Sequence, residues 1–160
     1  MSMQNNERNP HIESINIGAL GAGTTSTVVG FFVPKRSRIK AAWLIDTALL
    51  AVSTSNYVTA TLQDNSGSPV VYATGNSKVG VAALTPLPIA LAVGGGLAFD
   101  AQPTNADNSS QSGSTGGYDA DQATAPETDV PVNTMLNVKV VSTGTQTLTN
   151  ALLCVEWYPL

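Results

Sequence analysis

Apolar and polar residues alternate near the C-terminal end of the chain, and this pattern limits the possible folds more than any other. Leu136, Val138 and Val140 share one face of an extended segment, whereas Asn137 and Lys139 share the other. A period of two residues is that of a β-strand with one buried face. Leu153 to Tyr158 repeats the pattern, and the polar segment between the two runs contains a glycine. The sequence therefore predicts an antiparallel hairpin here.

Short apolar runs separated by turn residues extend this pattern along the chain, and their spacing favours an antiparallel β-sandwich or barrel. One stretch, residues 39–52, is also compatible with a helix, although we expect a strand followed by a loop. We predict a polar N-terminal arm at 1–10 and one β-domain at 11–160. The predicted strands are His11 to Ile17, Thr25 to Val33, Arg38 to Thr47, Tyr57 to Gln63, Val70 to Thr74, Val79 to Leu84, Leu87 to Phe99, Met135 to Val141 and Leu148 to Tyr158.

Charged residues make up only 11% of the chain and leave a formal net charge of -4. The usual charged fraction is about 25%, so this surface repels its neighbours weakly. Phosphate binding needs clustered cations, which argues against a nucleic-acid partner for the whole domain. Residues 1–10 lack the apolar stretch of a secretory signal, and no apolar run approaches the roughly 18 residues of a membrane span. We expect a cytosolic protein, or one assembled into a particle there, without a membrane partner.

Catalytic residue types are scarce, which predicts that the protein is not an enzyme and carries no metal or cofactor. A nucleophile with a histidine base would need His11, the single histidine, and zinc would need more ligands than His11 and the single cysteine Cys154. A carboxylate pair drawn from Asp46, Asp64 and Glu156 is the enzyme alternative, and substituting them in an activity screen would test it. The glycine run at 94–96 lacks the lysine of a phosphate-binding loop.

A basic cluster holds four of the seven cations within six residues: Lys35, Arg36, Arg38 and Lys40. On a strand, its last three cations share one face, which places Ile39, Ala41, Trp43 and Ile45 on the other. Two interpretations stay open. The cluster is either a charged edge that discourages stray strand pairing, or a patch that meets acidic groups of a neighbouring subunit or partner.

An acidic excursion at 100–131 interrupts the strand pattern, with abundant Ser, Gly and Asn, no Lys or Arg, and Tyr118 as its one large apolar residue. Loops longer than about 15 residues inside a compact domain are usually functional or disordered. Asp107, Asp119 and Asp121 could hold a hard cation, but they do not fit an EF-hand, and a solvated loop is the simpler interpretation.

Several segments resemble small β-sandwich structural proteins of tailed bacteriophages. The chain is most similar to the jelly-roll decoration, or cement, proteins of phage heads, over roughly residues 25–99 and 132–160. The acidic excursion has no counterpart in that group. The segments that carry the resemblance are Val28 to Pro34, Arg38 to Leu44, Asp46-Thr47, Tyr57 to Asp64, Leu136 to Thr145 and Leu152 to Pro159.

The resemblance implies a jelly roll, often a homotrimer, made in the host cytoplasm and seated on the capsid surface of the virion. Its partners would be the major capsid protein and further copies of itself. The alternative is a receptor-binding or carbohydrate-binding β-sandwich of a tail or baseplate. On the decoration hypothesis, the arm, the excursion and the basic cluster are the candidate partner-binding regions, with Glu7, Arg8, Lys35, Arg36, Arg38, Lys40, Asp100, Asp107, Tyr118, Asp119 and Asp121.

Overall fold

Antiparallel β-strands form all the regular structure in the computed structural model, which describes residues 10–91 and 128–160. These two ranges contain no helix that could cross a membrane. The all-β class predicted from the sequence is confirmed, and residues 39–52 form the end of a strand followed by a loop. The strands are β1 (His11–Leu20), β2 (Thr25–Val33), β3 (Ser37–Asp46), β4 (Tyr57–Asp64), β5 (Val71–Asn76), β6 (Leu87–Leu91), β7 (Thr128–Val130), β8 (Thr134–Thr143) and β9 (Leu148–Pro159).

The strands pair in two rows that enclose the core. We call β1-β9-β3-β6 the front row and β2-β8-β4-β5 the back row. β6 joins the rows, because residues 87–89 pair with β3 and residues 90–91 pair with β5. Alternation along β4, β8 and β9 places one side chain in two inside, as predicted. The fully buried side chains include Ile39, Leu44, Leu62, Leu136, Val138, Val140 and Leu153.

The predicted hairpin between the last two long strands is wrong. β8 pairs with β2 and β4 in the back row, whereas β9 pairs with β1 and β3 in the front row. The connection at 144–147 therefore crosses from one row to the other, and it begins at Gly144, whose φ is +66°. Alternation reports which side of a strand is buried, and that side is the same in a hairpin and in a crossing between rows.

A β-bulge in β3 reverses the predicted faces of its second half. Register shifts between Ile39 and Ala41, so the buried positions change from Ser37 and Ile39 to Ala42, Leu44 and Asp46. One extra residue is enough for this, because a shift of one position moves each side chain to the opposite face. Ala41, Trp43 and Ile45 consequently point away from the core, so the prediction that they share a face with Ile39 is wrong.

β6 and β7 lie end to end along the same edge of β3. Ile89 pairs with Ala42, and Thr128 pairs with Ile39, with both strands antiparallel to β3. The strand predicted to run from Leu87 to Phe99 is observed as far as Leu91, and its remainder lies outside the described residues. β7 was not predicted, because its three residues were assigned to the acidic excursion. The strand predicted at residues 79–84 is also wrong, since its one β-bridge is an isolated pair between Val81 and Leu50 of the connection between β3 and β4.

Candidate interaction surfaces

The basic cluster meets carboxylates of its own chain. Asp129 of β7 accepts hydrogen bonds from Nη2 of Arg36 and from Nε of Arg38, each at 2.6 Å. Lys40 Nζ lies 3.2 Å from Oε1 of Glu156 on β9. Asp129 belongs to the segment that the sequence assigned to the excursion, so the expected acidic partner exists within the same molecule. Three of the four cations are thereby paired, and Lys35 is exposed.

The two arginines change the acidity of Asp129. Burial by itself would raise the pKa of this carboxyl, but hydrogen bonds from Arg38 and Arg36, together with their positive charges, outweigh it and hold the pKa below its ordinary value of 3.8. A carboxyl group whose pKa is lower in the folded state than in the unfolded state stabilises the fold at pH values above its unfolded pKa. That contribution is lost as the pH falls through the folded value.

Replacing Asp129 with asparagine should therefore lower the free energy of unfolding by about 1 kcal/mol at neutral pH, since the carboxylate is partly exposed. The variant should lose less stability than the parent between neutral pH and about pH 3, because it has no such contribution to lose. Urea denaturation at several pH values measures both effects. Glu13→Gln, at an exposed carboxylate of β1, is the control, and an identical pH profile for parent and Asp129→Asn would contradict the expectation.

The other candidate catalytic and metal-binding residues do not lie together. Asp46 is the last residue of β3 in the front row, and Asp64 is the last residue of β4 in the back row. The ring of His11 stacks on Trp157 at 4.8 Å, and Cys154 Sγ lies 3.6 Å from the hydroxyl of Ser14. Among residues 10–91 and 128–160, no three His, Cys, Asp or Glu side chains are grouped as metal ligands. Glu7, Arg8, Asp100, Asp107, Tyr118, Asp119 and Asp121 lie outside the described residues.

The outer surface of the front row is largely apolar, and we call it the front face. Three registered lines of side chains cross it from β1 towards β6. Ile12 is 62% exposed, Leu152 and Pro88 are exposed, and Trp43 and Ile45 are half-buried. The charges at its border are paired with each other. The three lines are Ile12, Glu156 and Ala41; Ser14, Cys154, Trp43 and Pro88; and Asn16, Leu152 and Ile45.

The outer surface of the back row, the back face, is more polar. Threonine dominates it, and hydroxyls of neighbouring strands bond to each other, as Thr61 and Thr74 do at 3.2 Å. Lys139 is exposed at its centre, and Val29 is 70% exposed near its edge. The lines across it are Thr25, Val141, Thr59 and Asn76; Thr27, Lys139, Thr61 and Thr74; and Val29, Asn137 and Gln63. The paired Phe32 and Met135 are 49% and 37% exposed at one end of the back face, so its exposed large apolar residues lie at that end with Val29. On the front face, by contrast, each of the three lines contains apolar side chains.

The front face was not predicted, although the sequence carries a signal for it. Residues 41–45 and 151–155 are unbroken apolar runs in β3 and β9. Such runs are typical of strands covered on both sides, whereas a strand with one wet side alternates. Among the described residues, only the inner side of these strands is covered by the core.

Comparison with known proteins identifies no relative. No protein-family profile matches the chain, and no curated protein matches it. Two solved structures of infectious bursal disease virus, from the Gt and Gx strains, share 8% identity with it, each with a TM-score of 0.32. The matches include 97% and 99% of this chain but only 35% and 41% of those longer chains. A likeness at this level does not establish a shared function.

Proposed function

We propose that this chain is a virion structural protein that binds the outer surface of a capsid and cements neighbouring capsomers. The observation that carries the proposal is the front face, a largely apolar outer surface of a hydrogen-bonded sheet. Large apolar patches on soluble proteins mark interaction sites. Trp43 near its centre and Arg38 at its border are of the residue types that dominate binding energy at protein interfaces. The partner is a flat, uncharged region of the major capsid protein.

Two further features favour this role over that of an enzyme. The chain changes rows at every connection except β4 to β5 and β6 to β7, which is the wrapping expected of the interlocked Greek keys of a jelly roll. A small rigid body that contacts several shell subunits couples them, because linked contacts gain effective concentration without any one being strong. The resemblance to decoration proteins of tailed phages points to the same role.

Binding to shells assembled without the protein tests the proposal. We expect the protein to co-sediment with such shells and to raise the temperature at which they break. Ile12→Lys and Leu152→Lys should each weaken binding by about tenfold or more, since each removes an aliphatic side chain that the contact would bury and places a charge there.

Val29→Lys is the control, because Val29 is an exposed aliphatic residue of the back face, and its exposure of 70% is close to the 62% of Ile12. It should bind as the parent does. Unchanged binding by both front-face variants, or an equal loss with Val29→Lys, would refute the assignment of the face. Failure of the parent protein to bind or stabilise any shell would remove the function itself.

One observation favours a second candidate, a carbohydrate-binding β-sandwich of a tail or baseplate. Trp43 lies on the outer surface and is half-buried, and an indole ring in such a place could stack on a sugar. Glycan-array binding that is lost in Trp43→Ala, together with no binding to shells, would select this alternative.

A further inference from the structure

The four connections at one end of the sandwich form a surface with almost no charge. They comprise residues 21–24, 47–56, 77–86 and 144–147, and we call this surface the loop end. Lys78 is the single charged residue in these connections, and its ammonium lies 4.4 Å from the centre of the Tyr57 ring. The paired charges of Arg36, Arg38, Lys40, Asp129 and Glu156 lie away from it, towards the opposite end of the front row.

Four aliphatic side chains project from this end. Leu49, Val52, Val79 and Leu84 are 65% to 78% exposed, and they belong to the connections β3 to β4 and β5 to β6. Together they offer on the order of 500 Å² of apolar surface, which is at the upper end for a monomeric soluble protein. The largest apolar patches of such proteins are often functional.

These two connections hold each other in place. The backbone of Leu50 exchanges two hydrogen bonds with Val81, at 2.9 and 3.0 Å, and Ser53 N donates to Lys78 O. Leu84 N donates to the backbone oxygen of Asp46 at 2.8 Å. The apolar side chains are thus presented on a bonded framework, which lowers the entropy lost when a surface binds.

The backbone conformation of Leu84 is a second observation that favours a binding role for the loop end. Its φ is +59°, a left-handed conformation that branched or bulky side chains rarely adopt. The strain is not offset by burial, because the side chain is largely exposed. Strained residues persist where the surroundings enforce them, and they concentrate at binding and switching sites.

We propose that the loop end is the contact between two copies of this chain. At a symmetry axis identical groups meet, so a self-contact must avoid unpaired like charges, and the loop end meets this requirement. Two copies would bury on the order of 1,000 Å² in total, the lower limit of a specific interface, so the pair should be reversible. A bilayer fits less well, because anionic headgroups attract clusters of cations and this end carries only Lys78.

The mass of the full chain at increasing concentration tests the proposal. Between about 1 µM and 1 mM, the weight-average mass from sedimentation should rise towards twice the 16.5 kDa of one chain. Leu84→Asn should raise the dissociation constant about tenfold or more. Asparagine tolerates a positive φ, so the thermal midpoint of this variant should be equal to or above that of the parent. If Leu84 served only to stabilise the fold, the thermal midpoint of Leu84→Asn would be lower than that of the parent.

Val29→Asn, with a similarly exposed aliphatic side chain on the back face, should pair as the parent does. A parent that stays monomeric throughout, or a Leu84→Asn variant that pairs normally, would overturn the proposal. So would binding to phosphatidylserine vesicles that Leu84→Asn abolishes, since the end would then be a lipid contact. Ile12→Lys should still pair, so a failed shell assay and a failed self-contact are distinguishable.

Discussion

Replacing Trp157 with alanine is expected to lower the free energy of unfolding by about 4 kcal/mol, the largest effect of any substitution considered. Trp157 is almost fully buried, and its ring stacks between His11 on β1 and Phe31 on β2, at 4.8 and 5.8 Å between ring centres. The stack therefore connects the front row to the back row at their open side. Alanine would remove both ring contacts and leave a cavity that few neighbours can fill.

Two companion variants make this expectation specific. The indole nitrogen of Trp157 is buried without a hydrogen-bond partner among the described residues, so Trp157→Phe should retain most of the stability. Trp43→Ala removes the other tryptophan, on the outer side of the same row, and should cost less than half as much. Urea denaturation followed by circular dichroism measures all three. Equal losses for the two alanine variants would show that Trp157 does not fasten the rows.

Asp46→Ala is expected to lower the free energy of unfolding by about 3 kcal/mol. The carboxylate is 2% exposed and accepts backbone hydrogen bonds from Thr47, Thr149 and Asn150, at 2.8 to 3.2 Å. It thereby fastens the end of β3 to the start of β9. Alanine would remove the acceptor of these part-buried hydrogen bonds, and a hydrogen bond to a charged group contributes about 1 kcal/mol or more.

The adjacent Thr47→Ala is the control for Asp46→Ala, because Thr47 is exposed and contributes only its backbone NH to this arrangement. It should unfold at nearly the same urea concentration as the parent. Asp46→Asn should fall between the two, since one oxygen remains as an acceptor while the negative charge is lost. If Asp46→Ala unfolds together with Thr47→Ala, the carboxylate does not hold the two strands together.

Strand positions and inner faces could be predicted wherever polar and apolar residues alternate. Along β4 and β8 each second side chain is fully or nearly fully buried, and the inward set is the one that the sequence indicated. Alternation cannot identify the neighbouring strand, because pairing depends on contacts between distant segments. For this reason β8 and β9 were wrongly paired, and the short β7 was not recognised.

The candidate surfaces were less predictable, for two physical reasons. Four clustered cations could be found from the sequence. Asp129, however, follows Arg36 and Arg38 by more than 90 positions and reaches them only through the pairing of β7 with β3. The bulge at Lys40 changes which side chains of β3 face the solvent. The residue types around Lys40 do not indicate a bulge. Exposed aliphatic residues such as Leu84 resemble core residues in sequence, since exposure is decided by the path of the loop.

Because β6 and β7 occupy the same edge of β3, the connection between them can vary in length. The two strands lie end to end beside β3. Ile89 of β6 pairs with Ala42 and Thr128 of β7 pairs with Ile39, and these partners are three positions apart, about 10 Å. Closing a longer connection between two neighbouring points costs little, because each doubling of its length adds only about 0.6 kcal/mol. Peptides of very different length could therefore be exchanged at this break during evolution or by design, and the core between the rows would keep its packing.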